Sequence, residues 1–345
     1  MFINSNLTVM KKVNFVIKSI LLIGAGYAGF VSTAAAEPVD STRTSMGINS
    51  GGVDEIFKYQ NLKSIQNLSR DCAYTQAGKS CVSFFASGAD SAQLDSAMGG
   101  LLLALSPSKN IRLGAYLEQS KKSQDSSGGV TQKQGDPAYG FFAMWSQDPD
   151  GSGMHVRAAT NVSNVFIEST RVDNLTTNRG LSDIQSKSFQ VDLIKDYAFS
   201  NNWLISPFVG YRELNNKRMA YVEFLDSNTP LSYKELGQDI QSVTFGATLA
   251  LKVATNTKFA LTAGVDKDVK NKIGNYSAVS TRDIPPIETV LDRGVVFKQK
   301  INFFAFSMNH QINDTSTLGF SINQRKSDRS SDEMVFGTIQ FAKSF

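Results

Sequence analysis

The sequence has few of the residues that most often build catalytic and metal sites. It contains two cysteines and two histidines in 345 residues. His155 and His310 lie far apart in the chain, and His155 does not begin the His-x-Ser-Asn run that some membrane phospholipases need. The acidic run at 148–151 lacks the further ligands of a calcium loop. We therefore predict no catalytic residue, no cofactor site and no metal site, and we expect that the protein is not an enzyme.

Long apolar runs and excess charge are also scarce. Residues 20–31 form one apolar run, and no second long run follows, which excludes a helical membrane protein. The formal net charge is +4, and Lys11, Lys12 and Lys18 are the only charged residues before Glu37, so the remainder carries about +1 (4 minus 3). This balance gives no support for a nucleic-acid partner.

The first 36 residues have the three parts of a secretory signal peptide. Met10-Lys11-Lys12 is basic, residues 20–31 are apolar, and Ala34-Ala35-Ala36 is a small-residue cleavage site. We predict cleavage between Ala36 and Glu37, with export to the periplasm. A retained membrane anchor and a start at Met10 are the alternatives.

Alternating side chains dominate the rest of the chain. In residues 335–345, apolar side chains alternate with small or polar ones, and the sequence ends on Phe345. Residues 243–253 and 257–268 show the same period of two, which indicates strands with one apolar and one polar face. Apolar-out and polar-in alternation is typical of membrane β-barrels, although a soluble sandwich also shows it.

The lengths of the linkers favour a barrel. Tight turns at 106–109, 148–152, 200–201, 254–256 and 313–314 alternate with long polar segments at 121–137, 169–184, 215–238 and 269–294. This rhythm is typical of outer-membrane barrels, where the short turns face the periplasm. We therefore predict an all-β membrane protein, a twelve-stranded antiparallel transmembrane barrel over residues 72–345.

A different segment precedes the barrel. Residues 37–52 are polar and predict a flexible stub, and residues 53–71 predict an amphipathic helix of about 18 residues. Such a helix is roughly 27 Å long, close to the thickness of a hydrocarbon core, so it can run through the lumen. A position outside the barrel is the alternative. Cys72 and Cys81 bracket a short turn, and in an oxidising compartment we expect them to form a disulfide.

Charged side chains on the polar faces of the strands should point into the lumen. The residues that we assign to this group are Arg112, Glu118, Arg157, Asp192, Asp196 and Lys252. They can pair with one another and with the helix, or they can line a selective channel. Their position in the sequence does not separate these two roles.

Residues 53–345 resemble the translocator β-domain of autotransporters, the proteins of type V secretion. The order of linker helix, twelve strands and terminal phenylalanine carries the resemblance, together with local similarity at 106–120, 138–160 and 202–214. The resemblance implies an outer-membrane protein surrounded by lipid and inserted by the barrel-assembly machinery, which would read Phe345 and Phe341. Lys343 departs from that signal, because an apolar or aromatic residue usually stands there.

Two features of the chain bear on this resemblance. Autotransporters usually carry a large passenger before the barrel, whereas about sixteen residues separate Ala36 from the predicted helix, so we expect a barrel without a large passenger. Asn61 and Asn67 lie in the helix, where releasing autotransporters cut their chain at an asparagine. We expect a monomeric barrel plugged by the helix. The alternatives are a small channel or porin, and a surface-interaction protein that presents its long loops.

Overall fold

The computed structural model describes residues 38–72, 78–90, 96–120, 126–148, 153–173, 176–224, 230–281, 287–292, 298–328 and 333–345. The predicted signal peptide and its cleavage site at Ala36 and Glu37 lie outside the described residues.

Twelve long strands form the wall of a barrel. They are β1 (Cys81–Asp90), β2 (Ser96–Ser108), β3 (Ile111–Ser120), β4 (Ala138–Ser146), β5 (Met154–Asp173), β6 (Thr176–Lys195), β7 (Trp203–Arg218), β8 (Leu236–Ala254), β9 (Thr257–Ile273), β10 (Lys300–Asn313), β11 (Ser316–Ser327) and β12 (Glu333–Ser344). Each strand pairs antiparallel with the next one along the chain. β12 pairs with β1 from Cys81↔Ser344 to Asp90↔Val335, which closes the sheet. The predicted twelve-stranded antiparallel barrel is confirmed.

The outer face of the wall carries an apolar band. On β8, for example, Phe245 and Leu249 are exposed, whereas Thr244 and Ala250 on the inner register are buried. A polar side chain follows the band on most strands, at the end of the barrel where the linkers are long. This polar ring consists of Asp90, Gln119, Asn164, Lys187, Glu213, Gln241, Lys267, Asn302, Gln324 and Glu333. Between the ring and the opposite turns, most strands have roughly the length that a membrane crossing needs, about 9–11 residues.

One predicted loop is wrong. Residues 169–184 were expected to form a long polar loop, but β5 and β6 continue as a paired hairpin from Met154↔Lys195 to Asp173↔Thr176. Both faces of this hairpin lie beyond the polar ring, so its outer side chains no longer need to be apolar. Because the outer side chains of these strands include polar residues, the sequence of 169–184 resembled that of a loop.

The helix α1 (Pro38–Leu68) is longer than expected. The predicted flexible stub at 37–52 is therefore wrong from Pro38 onward. Gly47, Gly51 and Gly52 lower the intrinsic helix propensity, but packing of the buried side of this segment, which includes Met46 and Asn49, compensates for this loss. Within the described residues, no helix is both long and apolar enough to cross a membrane.

Short strands cover the end of the barrel that has the long linkers. Four of them, Tyr221–Val222, Leu231–Tyr233, Tyr276–Ser280 and Glu288–Leu291, form a separate sheet, which we name the cap. Ser126–Ser127 and Val130–Gln132 form a hairpin that pairs with β5, and Tyr197–Ala198 pairs with β7 at the opposite end. Buried residues of the cap share a core with Met46, Val53 and Phe57 of α1, so the helix and the cap pack as one unit.

Candidate functional site in the barrel lumen

The helix α1 is held in the lumen by a buried ion cluster. Glu118 of β3 is 1% exposed and accepts a hydrogen bond from Arg70 at 2.9 Å. Lys63 of the helix lies 3.3 Å from the other carboxylate oxygen, and Asn67 donates to that oxygen at 3.3 Å. Because one carboxylate meets three side chains from two turns of helix and the residues that follow it, the cluster fixes both the height and the rotation of α1.

Arg157 of β5 holds the end of the helix from the other wall. Its guanidinium donates to the backbone oxygen of Leu68 and, at 2.9 Å, to that of Arg70. The last carbonyls of a helix have no partner within it and carry partial negative charge. Arg157 therefore satisfies acceptors that would otherwise be buried and unpaired. Its guanidinium also lies 5.3 Å from the ring centroid of Phe142.

A covalent corner joins the helix to the first strand. Cys72 and Cys81 form a disulfide with a Cα–Cα distance of 6.7 Å, which confirms the predicted pairing. Arg112 lies 3.4 Å from Asp71, and Gln340 of β12 donates to the backbone oxygen of Asp71 at 2.8 Å. The helix thus descends through the lumen to the end with tight turns, and β1 then rises from that end.

Amide side chains set the register of the upper part of the helix. Asn216 of β7 donates to Asn61 at 2.7 Å, and Asn61 donates to Gln238 of β8 at 3.1 Å. Gln60 donates to Gln132 at 3.3 Å. These buried groups lose hydrogen bonds if the helix slides by one residue, so they oppose such a shift.

Two glycines allow the 126–132 hairpin to touch the helix. Gly128 and Gly129 have φ values of +60° and +72°, which only glycine adopts readily. A Cβ atom on Gly128 would collide with the backbone oxygen of Ile48. Close backbone contact therefore holds the glycine-rich part of α1 that the sequence did not predict as helix.

On its opposite side, the helix does not fill the space between itself and the barrel wall. A cavity of about 100 Å³ lies between α1 and strands β7 to β12. Its wall includes a second buried ion cluster, in which Asp266 lies 3.1 Å from Arg212 and 2.6 Å from Arg325. Leu62 and Ile65 line the helix side. The plug is therefore asymmetric, tight against β3 to β6 and looser against β7 to β12.

The cap closes the upper mouth around one buried cation. Arg218 is 0% exposed, and its guanidinium lies 4.9 to 5.6 Å from the ring centroids of Tyr221, Tyr233 and Tyr276. Burial raises the pKa of each of these tyrosines above its ordinary value. The rings thus remain neutral and face the cation with their electron-rich faces.

A second buried pair links the cap to the protruding hairpin. Arg171 of β5 donates to both carboxylate oxygens of Glu223, at 2.9 and 2.8 Å, and both side chains are almost fully buried. Breaking a buried pair of this kind is costly. We conclude that the cap and the hairpin move together.

A serine, a histidine and an aspartate meet at the opposite end. His155 lies 2.9 Å from the Ser146 hydroxyl and 3.0 Å from Asp196, which also accepts from Ser206 at 2.5 Å. Ser146 is only 4% exposed, so a substrate has no access to its hydroxyl. The network joins β4, β5 and β7 near the tight turns and supports a structural role.

The structure places the predicted lumen residues at different depths. Glu118 and Arg157 contact the helix, whereas Arg112 lies beside the disulfide. Asp192 is buried and accepts from Gln190 at 2.8 and 2.6 Å, without a direct contact to the helix. Lys252 occupies an inner register position but is exposed at the end with tight turns.

Lys63 and Arg70, the partners of Glu118, were not predicted from the sequence. Together with Asn67 they are spaced at i, i+4 and i+7, which places them on one face of a helix. That signal is present in the sequence and could have been paired with an inward acidic residue. Among the described residues, no group of three or more His, Cys, Asp or Glu side chains could hold a metal ion.

A closed antiparallel barrel with an apolar outer band and a helix in its lumen defines a class of membrane translocator and channel proteins. The autotransporter β-domain family model matches residues 83–323. The chain belongs to this family, whose members are proteins of the bacterial outer membrane. It is an autotransporter translocator β-barrel with its N-terminal helix inside the barrel.

Solved structures show the same fold at low sequence identity. The translocator domain of the autotransporter NalP from Neisseria meningitidis is 12% identical, with a TM-score of 0.62 over 86% of this chain and 97% of that one. The β-domain of the Bordetella autotransporter BrkA is 10% identical, with a TM-score of 0.51 over 78% of this chain and all of that one. No curated protein sequence matches the chain.

Proposed function

We propose that this barrel rests in a closed state in the outer membrane, with α1 as a plug that is clamped at both ends. The observation that carries the proposal is the buried cluster of Glu118 with Lys63 and Arg70. An ion cluster without access to water is stable only when all its partners stay in place. A helix that slides along the lumen or leaves it therefore incurs a large energetic cost.

The proposal includes the route into the membrane. The mature chain crosses the periplasm after cleavage at Ala36, the barrel-assembly machinery inserts it as a monomer, and the tight turns remain on the periplasmic side. The descending helix and the disulfide at the tight-turn end support this orientation, because the segment before the helix then emerges at the cell surface. The proposed role is transport or anchoring across the membrane rather than catalysis.

Single-channel recording tests the plug. The full chain and a variant without residues 42–68 should be reconstituted in planar bilayers. We expect closed traces from the full chain and stable open currents from the deletion, because removal of the helix leaves a water-filled lumen. Lys58→Gln is the matched control, since it changes a partly exposed charge on the same helix. Equal, closed traces from the full chain and the deletion would contradict the proposal.

A small channel is the second candidate, because the cavity beside α1 is lined by Arg212, Asp266 and Arg325. In this case the full chain itself conducts small currents past the seated helix. Arg325→Gln would then change the ratio of cation to anion permeability without changing the occupancy of the plug. Silence of the full chain in the same recordings would exclude this candidate.

A further inference from the structure

A group of lysines lies on the outer wall of the barrel, next to the apolar band. On β9, Lys267 follows the outward-facing Val265, and Lys270 follows one step higher, after a bulge. On β10 and β11, Lys300 and Lys326 occupy the outward register just beyond Asn302 and Gln324 of the polar ring. We name Lys267, Lys270, Lys300 and Lys326 the lysine patch. All four side chains are exposed at the level where a membrane-spanning wall meets lipid headgroups.

The charges of the patch are poorly balanced by the protein. Lys267 is directly opposite Lys300 in the strand pairing, an arrangement that is destabilising by itself. None of the four lysines forms an ion pair with the described part of the chain. Two carboxylates lie among the four lysines: Glu333 stands directly opposite Lys326 in the strand pairing, and Asp328 accepts from the backbone N–H of Lys300 at 3.0 Å. They offset only part of the positive charge.

The remaining wall is different at this height. The exposed lysines near β7 and the cap are neutralised, since Lys217 lies 2.7 Å from Glu235 and Lys234 lies 2.7 Å from Glu288. On β1 and β3 the ring carries Asp90 and Gln119 instead of cations. Lys187 of β6 is a single exposed lysine at this height, whereas β9 to β11 bring four lysines together in the described part of the wall.

From this placement we infer that the lysine patch binds the phosphate groups of a phosphorylated glycolipid in the outer leaflet. Phosphate is the anion that several ammonium groups can share, and it would relieve the repulsion between Lys267 and Lys300. The apolar side chains directly below, including Val265, Phe304 and Ile322, offer a surface for the acyl chains of the same molecule. A soluble phosphate would gain nothing from that surface. The inference rests on the proposed outer-membrane location and orientation.

Binding of purified lipid A to the full chain in detergent tests the inference. The probes are bisphosphorylated lipid A, dephosphorylated lipid A and inorganic phosphate, with affinity measured by native mass spectrometry. We expect Lys267→Gln/Lys300→Gln/Lys326→Gln to weaken binding of the bisphosphorylated form by about tenfold or more, because each lysine near an anionic lipid surface contributes several-fold to affinity. The corresponding triple arginine variant should keep the affinity of the unaltered chain.

The triple variant Lys187→Gln/Lys217→Gln/Lys234→Gln is the matched control, since it removes the same charge elsewhere on the exterior. It should bind like the unaltered chain, and heat-modifiable mobility verifies that every variant is folded. Equal binding by the patch variant and the control would overturn the inference, as would equal binding of dephosphorylated lipid A. Tight binding of inorganic phosphate would overturn the glycolipid as the partner. None of these results bears on the proposed plug, because single-channel conductance tests the plug separately.

Discussion

The ion cluster around Glu118 makes the strongest prediction about the plug. Glu118→Gln keeps the shape of the side chain and can still accept from Asn67, but it leaves Lys63 and Arg70 buried without a counter-charge. Their side chains are 4% and 6% exposed, so water cannot replace the carboxylate. Loss of one partner from a buried pair costs about 3–5 kcal/mol. The seated helix should therefore be destabilised by that amount relative to the released helix.

Hydrogen exchange measured by mass spectrometry gives the assay. In Glu118→Gln, the amides of residues 59–68 should exchange at least about a hundredfold faster than in the unaltered chain, as a loss of that size requires. Hydrogen exchange in β8 and β9 should not change, because backbone hydrogen bonds between neighbouring strands keep the barrel closed without the helix. Lys58→Gln should have little effect, since the pair of Lys58 with Glu55 is partly exposed and such pairs contribute about 0–1 kcal/mol. Unchanged exchange in Glu118→Gln would refute the clamp.

A double-mutant cycle separates the pair from its surroundings. Lys63→Met combined with Glu118→Gln should be less damaging than the sum of the two single changes, because the combination removes both a cation and its counter-charge. Strict additivity in the exchange rates would show that Lys63 and Glu118 do not interact in the folded barrel.

Three further predictions concern separate parts of the molecule. Replacement of Cys72 and Cys81 by serine should destabilise the corner between the helix and β1 by about 2–3 kcal/mol while the barrel stays heat-modifiable, and a loss of heat-modifiable barrel would contradict this. Phe345→Ala should sharply reduce insertion into outer membranes, whereas Lys343→Tyr should not; normal yield of Phe345→Ala would refute the assembly signal. Gly128→Ala should cost about 1–3 kcal/mol and accelerate hydrogen exchange in residues 46–52 alone, because alanine cannot adopt the positive φ without strain; unchanged exchange there would show that the contact is dispensable.

The barrel could be predicted because its two faces meet different solvents. Lipid outside and a polar lumen inside impose a period of two on each strand, as in β8, and the tight turns mark where strands end. The same rule assigned Glu118 and Arg157 to the inner face. It failed above the polar ring, where neither face of the β5–β6 hairpin meets lipid and the alternation in 169–184 becomes polar.

The helix shows a different limit of the sequence. Residues 38–52 are rich in glycine, serine and threonine and have no clear apolar stripe. The side of this segment that is buried carries polar side chains such as Asn49 and Ser50 beside Met46, whereas Ile48 is exposed. The helical state of the segment depends on contacts such as that of Gly128 with Ile48, which join residues eighty positions apart. Local propensity carries no information about such contacts.

The central claim is that α1 is seated in the lumen at one defined register in the living membrane. Asn216 points inward and donates to Asn61 at 2.7 Å, whereas its neighbour Asn215 is exposed on the outer face. Cysteine pairs introduced at 61 and 216, and at 61 and 215, should therefore behave differently in intact cells. We predict a spontaneous disulfide between Asn61→Cys and Asn216→Cys in the outer-membrane fraction, and none between Asn61→Cys and Asn215→Cys. Absence of the first crosslink in a folded, heat-modifiable barrel, or equal yields from both pairs, would contradict the account.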